Sequence, residues 1–401
     1  MSNTYYRDQP VSPSFDRAPA CPFDPAPEVT ALRAEQPIVP LAMPEGAPGV
    51  WLVTGYALVR RILADPRFSS RYETQYHPAL GGHLPPAPVG DLTGMDAPEH
   101  TRFRKMLTGK FTVRRMNLLT ERVTEITRER LDAMERQGPP ADLVEVFAQP
   151  VPALMICELL GVPYEDREQF QGQTRALAEA EEPEAQYAAF IELGEYLRSL
   201  GLAKRAQPTD DLLSDLAGSD LTDEELGGVA AFLLGAGLDT TANMLALGTF
   251  ALLRNPDQLA ALRADPGLAD GAVEELLRYL TIAGTGLRGV LEDVELDGRL
   301  LKAGDTVVIA LNAANRDPAK FSDPDLLDLR RSAAGHLAFG HGVHQCLGQQ
   351  LARVEMRVAF PALLTRFPGL RLAVPAEEVP LRTDPSLIHG VLSLPVTWDR
   401  A

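Results

Sequence analysis

The stretch that decides the fold is residues 336–356, HLAFGHGVHQCLGQQLARVEM. It sets Cys346 among glycines and histidines, just ahead of a run that reads as a helix. Gly340, Gly342 and Gly348 surround the thiol, and glycines mark backbone that turns tightly or comes close to something. Several chemistries use a cysteine in such a place. A buried structural thiol is the commonest fate of an isolated cysteine and suits Cys21 and Cys157. Zinc would draw on His341, His344 and Cys346, yet no second ligand pair stands at usable spacing elsewhere. An iron–sulfur cluster takes about four thiolates, and the chain has three cysteines.

Covalent haem attachment through C-x-x-C-H is absent. The remaining reading is a single thiolate bound to a haem iron at a helix N-terminus, where main-chain N–H groups and the helix dipole stabilise a negative sulfur. That reading requires cations for two haem propionates. The segment MDAPEHTRFRKML places His100 and Arg104 four apart, on one helix face; Arg288 in TGLRGV and His344 are further candidates. In EELLR, Glu275 and Arg278 lie one helical turn apart, and Arg331 would close a buried three-residue network that fixes the cysteine loop.

Working outward, the central feature is LTDEELGGVAAFLLGAGLDTTANMLALGTFALLRNP. Thr222 and Glu225 form a capping-box pair, and Asn255-Pro256 is a stop signal. The rod between them spans roughly 50 Å and is apolar on most sides, which predicts a buried central helix. Gly235, Gly237, Asp239, Thr240 and Thr241 interrupt its apolar character, and a local distortion opening space for a ligand is expected there. A dinucleotide loop is excluded: Thr240 takes the third glycine's place, and a capped helix precedes the motif.

The rest of the chain reads as mainly α with small β-sheets. Residues 1–48, rich in proline, form an irregular arm; VWLV is a strand and GYALVRRILAD a helix. Residues 72–94 show no periodicity, and a loop of that length is usually functional. Short β runs fall between about 285 and 335, with a turn at Asp297-Gly298, and VLSLPVTW closes the chain. Length alone suggests two or three domains, but no linker or repeat interrupts the texture, so one domain over 1–401 is expected. The chain is 45% hydrophobic and 23% charged, an ordinary globular balance. It has no run of eighteen apolar residues and no visible leader, and its odd, scattered cysteines suit a reducing compartment, so a cytoplasmic location is expected. A net charge of −17 makes non-specific nucleic-acid binding a poor fit.

FGHGVHQCLG (Phe339 to Gly348), AGLDTT (Ala236 to Thr241) and EELLR, in this order, resemble a cytochrome P450 over nearly the whole chain. WLVTGY, DPRFSSR, APEHTRFRKML and LGVPYEDREQF are similar to soluble actinomycete members that tailor secondary metabolites. The chain departs from the pattern where RRSAAGH lacks a Pro and an Asn, and where Leu326-Leu327 replaces Arg-Phe. The resemblance implies a single-domain haem-thiolate fold holding haem b. Cys346 would be the proximal iron ligand, with Phe339, Gly340 and Gly348 beside it. His100, Arg104, Arg288 and His344 would hold the propionates, and Ala236 and Gly237 would be small because the haem face lies against them. His336 would support the loop. Asp239 and Thr240 would pass protons on the distal side.

The activity implied is monooxygenation, with electrons from a ferredoxin and a ferredoxin reductase. Residues 102–115 carry six basic side chains and no acid; Arg102, Lys105, Lys110, Arg114 and Arg115 are read as the ferredoxin dock on a monomer. Substrate choice falls to 72–94, 170–200, Leu233, Ile282, Ala283, Thr285, Leu387 and Ile388, which are apolar or small. They imply a bulky hydrophobic substrate, a macrolide or other polyketide, with a terpenoid or steroid as the alternative. The rival to an enzyme is a non-catalytic haem-binding protein, against which the Asp239-Thr240 pair speaks.

Overall fold

The computed structural model describes residues 9–399 except 16, 18–20, 112–118, 167–171, 173–182 and 383–387. Helix Asp223–Arg254 crosses the molecule, a length of about 48 Å. Its start follows from the capping box. The Glu225 N–H donates to Thr222 Oγ1 (3.2 Å), and the Thr222 N–H donates to the Glu225 carboxylate (2.9 Å). Helices Pro150–Leu160, Pro183–Ala206 and Gln349–Arg366 pack around it. Among the described residues this is the one helix long and apolar enough to cross a membrane, and it is mostly buried inside the fold. The main core cluster draws side chains from Phe23 to Trp398.

The expected distortion is not a break, because the helix is continuous through Gly237 to Thr241. Its polar groups are satisfied within the helical frame. Thr240 Oγ1 donates to the Ala236 carbonyl (2.9 Å), and Asn243 Nδ2 donates to the Asp239 carbonyl (2.9 Å).

Among the described residues a five-stranded sheet runs Ile38–Pro40, Val50–Val53, Thr306–Ala310, Thr285–Val290, Phe68–Ser69. TVVIA, buried throughout, is the central strand; it lies parallel to VWLV and antiparallel to Thr285–Val290. The Val294–Leu296 and Arg299–Leu301 hairpin turns at Asp297 and Gly298, both at positive φ (49° and 73°). Within the described residues of the first 48, regular elements replace part of the expected irregular arm. Pro27–Glu35 is a helix and Ile38–Pro40 an edge strand, because Val29, Ile38 and Val39 are buried anchors. Segment 72–94 likewise holds a small hairpin, Tyr76–His77 against Gly82–His83. The closing β tail reduces to Pro395–Thr397, paired with Arg371–Leu372 and Ala141–Asp142.

Candidate active site

Cys346 sits at the foot of helix Gln349–Arg366, and its N–H donates to the Phe339 carbonyl (2.8 Å). Gly340 (φ 67°) and Gly342 (φ 75°) occupy the left-handed region that glycine alone tolerates easily. A Cβ on Gly342 would also overlap the Leu63 carbonyl, so this glycine serves a close approach as well as a turn. Gly348 has open space around it. Burial pushes the Cys346 thiol up, while the N–H groups of Gly348 and Gln349 and the guanidiniums of Arg104 and Arg353 act the other way.

Two ion-pair networks brace this loop. Glu275 and Arg278, both fully buried, are bidentate (2.7 and 2.8 Å), and Arg331 Nε reaches the same carboxylate at 3.1 Å. Arg278 also donates to the carbonyls of Asn315 (2.9 Å) and Pro324 (2.8 Å), and Arg331 to those of Ser322 and Asp323. The predicted triad is therefore present, tied to the segment before the cysteine loop. Of the second network, His336 was expected as a support for the loop, whereas Glu274 and Arg353 were missed in the sequence. Glu274 accepts from Arg353 (2.6 and 3.0 Å) and faces His336 Nε2 (3.1 Å). The Ala338 N–H donates to His336 Nδ1 (3.2 Å), so Nε2 carries the proton and donates to Glu274. The Arg353 guanidinium lies over the Phe339 ring at 4.6 Å. Burial raises the Glu274 pKa, but the bonds from His336 and Arg353 outweigh it and hold the carboxyl at about 2. Asn315 links the two halves: Nδ2 donates to Thr281 Oγ1 (2.9 Å), and Oδ1 accepts from the Leu337 N–H (2.7 Å).

Above the loop lies a cavity of about 910 Å³. It is bounded by Cys346, Phe339, Gly340, Gly348, Ala236, Gly237, Thr240, His100, Arg104, Arg288 and His344. Arg104 donates to the Gln345 carbonyl (2.6 Å) and Arg288 to the Leu287 carbonyl (2.7 Å); among the described residues no carboxylate is bonded to either. Guanidiniums bordering a cavity and bonded only to main-chain oxygens suit an anionic group such as a haem propionate, so the donor set fits the group the sequence implied. Burial, then His100 and Arg288, hold His344 down at about 3, and burial and Arg104 also lower His100. Their rings sit 4.1 Å apart at the cavity edge.

Leu233, Ile282, Ala283, Thr285 and Ile388 border the same cavity, as do Leu84, Pro85 and Pro88 from the 72–94 segment. Leu387 lies outside the described residues. Gly237 borders the cavity with Ala236, and a Cβ there would also meet Ile156 of the neighbouring helix at 3.2 Å. Asp239 sits on the same helix, next to Thr240. Its carboxylate lies outside the cavity lining, held by Arg382 (2.9 Å to each oxygen) and by Asn243 Nδ2 (2.9 Å). Glu355, 2% exposed, borders the cavity with Oε2 unpartnered, and burial pushes its pKa up to about 8.

Zinc fails as a reading. His341 turns outward to Arg60 (3.3 Å), and no cluster of three His, Cys, Asp or Glu suited to a metal occurs among the described residues. The basic run is also partly neutralised. Arg102 pairs with Glu225 (2.5 Å) and Lys110 with Asp215 (2.9 Å), acids supplied by distant segments; Lys105 is exposed, and Arg114 and Arg115 lie outside the described residues.

The chain matches the family described as Cytochrome P450 over residues 267–396. It is 52% identical over 380 residues to cytochrome P450 105C1 of a Streptomyces species, covering 94% of this chain and 96% of that one. Pentalenic acid synthase of Streptomyces avermitilis is 46% identical over 392 residues, covering 96% and 97%. The crystal structure of CYP105P1 in complex with filipin I superposes with a TM-score of 0.89 at 44% identity, covering 98% of this chain and 100% of that one.

Proposed function

The chain belongs to the cytochrome P450 family, and from that premise we propose that it oxidises a macrolide or other polyketide through a site built on Cys346, Thr240 and Asp239. The activity itself is monooxygenation with a thiolate-ligated haem and electrons from a ferredoxin and its reductase. The balance is R–H plus dioxygen, two electrons and two protons, giving R–OH and water. When bound, the haem supplies the activation of dioxygen; everything else falls to the chain's own residues.

Cys346 would supply the thiolate that holds the haem iron. The observation that carries this reading is a half-buried sulfur that faces two main-chain N–H groups and lines a cavity bordered by two guanidiniums bonded, among the described residues, only to main-chain oxygens. Arg104 and Arg288 would neutralise the propionates, with His100 and His344 donating hydrogen bonds. The Glu275–Arg278–Arg331 and Glu274–His336–Arg353 networks hold the loop at fixed height. On the opposite wall Thr240 offers a hydroxyl to the cavity, and the neighbouring Asp239, its side chain 45% exposed, would bring protons toward that hydroxyl from solvent. The apolar walls exclude bulk water and orient the substrate by shape.

The substrate is hydrophobic; the macrolide or polyketide reading draws on the cavity's size, its proline- and leucine-rich roof, and the likeness to a protein crystallised with filipin I. The second reading is a terpenoid or steroid, because the family's named relatives act on varied substrates, one of them named as a vitamin D3 dihydroxylase. We read the chain as one catalytic domain over 1–401, monomeric and cytoplasmic. Its ferredoxin face centres on Lys105, in the basic run that also carries Arg102 and Lys110 and, outside the described residues, Arg114 and Arg115. Optical titration of the haem-loaded protein with macrolides, terpenoids and steroids tests the substrate. A blue Soret shift with macrolides at the lowest concentration is expected; a shift with steroids or terpenoids alone would overturn the polyketide reading.

A further inference from the structure

We infer, on the reading of Asp239 and Thr240 given above, that Arg382 is a positioning residue tying the Asp239 carboxylate to the wall of the substrate pocket. Arg382 Nη1 donates to both carboxylate oxygens at 2.9 Å, and Asn243 Nδ2 donates to Oδ1 at 2.9 Å. A carboxylate oxygen has about two acceptor sites, so Oδ1 is fully used and Oδ2 keeps one. Thr240 is the next residue and borders the cavity, whereas Asp239 does not. Successive helical residues point about 100° apart. The arginine therefore holds the carboxylate away from the hydroxyl it would serve, and passing a proton to Thr240 requires Asp239 to loosen from Arg382.

The holder is part of the pocket wall. The Arg382 N–H donates to the Gly390 carbonyl (3.0 Å), and Leu381 pairs with Val391. Ile388 in the same segment borders the cavity and pairs with Ala283, and the His389 N–H donates to the Ile282 carbonyl (2.8 Å). Gly390 presses on Asn243 so closely that a Cβ there would overlap the amide oxygen. Both donors to Asp239 thus touch one tail segment whose inner residue faces the substrate. A substrate that shifts Ile388 changes the grip on Asp239, which makes proton delivery depend on an occupied pocket.

The test uses the haem-loaded enzyme with a ferredoxin, its reductase and NADPH, in wild type, R382Q, R382K, N243A, D239N and D239N/R382Q. Three quantities are read: electron consumption without substrate, product per electron with it, and the substrate dissociation constant from the Soret shift. R382Q is expected to raise substrate-free consumption by about fivefold and to lower product per electron, with the dissociation constant within about twofold of wild type. R382K should recover part of the loss. N243A, which leaves the tail's arginine in place, should raise consumption in the same direction and covers the case of an unstable R382Q. In D239N, adding R382Q should change nothing further. A weaker dissociation constant with unchanged consumption would make Arg382 a brace of the wall alone and overturn the inference. Unchanged coupling in D239N itself would overturn the Asp239 reading and the inference with it. A coupling loss in D239N together with wild-type behaviour in R382Q and N243A would overturn the inference alone.

Discussion

The two faces of the cavity are built on opposite principles. Below it, the cysteine loop is held by charges removed from water and bonded in networks: Glu275 and Arg278 are fully buried, and Glu274, His336 and Arg353 form a second cluster. Above it, the walls are mostly apolar, and the Asp239–Arg382 pair behind them is partly open to solvent. A buried ion pair is a poor source of net stability but is costly to break, so it specifies one geometry. An apolar wall can change its residues without changing its mechanism. The contrast teaches that the lower face fixes the position of the thiolate, whereas in this account the upper face brings protons and selects what is oxidised.

The largest effect should come from splitting the lower network. Glu275→Ala leaves Arg278 and Arg331 without their shared carboxylate and is expected to cost about 3–5 kcal/mol, read as a lower urea midpoint and poor haem retention. A loss below about 1 kcal/mol would put this network on a par with surface pairs and erase the contrast.

Acid should act next, through Glu274. Its folded pKa of about 2 lies below the ordinary value of 4.5, so its contribution is complete above pH 4.5 and disappears as the pH falls toward 2. Glu274→Gln should flatten the stability profile in that window; an unchanged profile would mean that the His336–Arg353 contacts do not matter in solution. Glu355 has the opposite sign. Its folded pKa of about 8 lies above 4.5, so its contribution is complete below pH 4.5 and declines as the pH rises toward 8. Glu355→Gln should remove that decline in thermal melts between pH 5 and pH 8.

The smallest effect on stability belongs to the upper face. Thr240→Ala removes one hydroxyl bonded to its own helix and is expected to shift stability by less than about 1 kcal/mol. Product per electron should nevertheless fall by about tenfold or more, with peroxide released instead. Stability loss with intact coupling would reverse the assignment of roles to the two faces.

The lower face was more legible in the sequence for a physical reason. Glycines around Cys346 and the one-turn spacing of Glu275 and Arg278 are local patterns, and local patterns survive without coordinates. Glu274 escaped notice beside Glu275 because adjacent helical residues face different neighbours: one meets Arg278 and Arg331, the other His336 and Arg353. Arg382 lies 143 residues from Asp239 and nothing in the tail's spacing points to the helix. The basic run looked unpaired because the acids that meet Arg102 and Lys110 sit at 225 and 215. The helix itself was legible from its capping box, whereas its expected distortion overlooked how Thr240 and Asn243 satisfy themselves inside a continuous helix.

The most direct test of the account is the carbon monoxide spectrum of the reduced, haem-loaded protein, wild type beside Cys346→Ser, with circular dichroism as the control for folding. The account predicts a thiolate-type Soret band in the wild type and its loss in a variant that keeps its helical signal. The same band in both proteins would contradict it, because the iron would then be held by some residue other than Cys346.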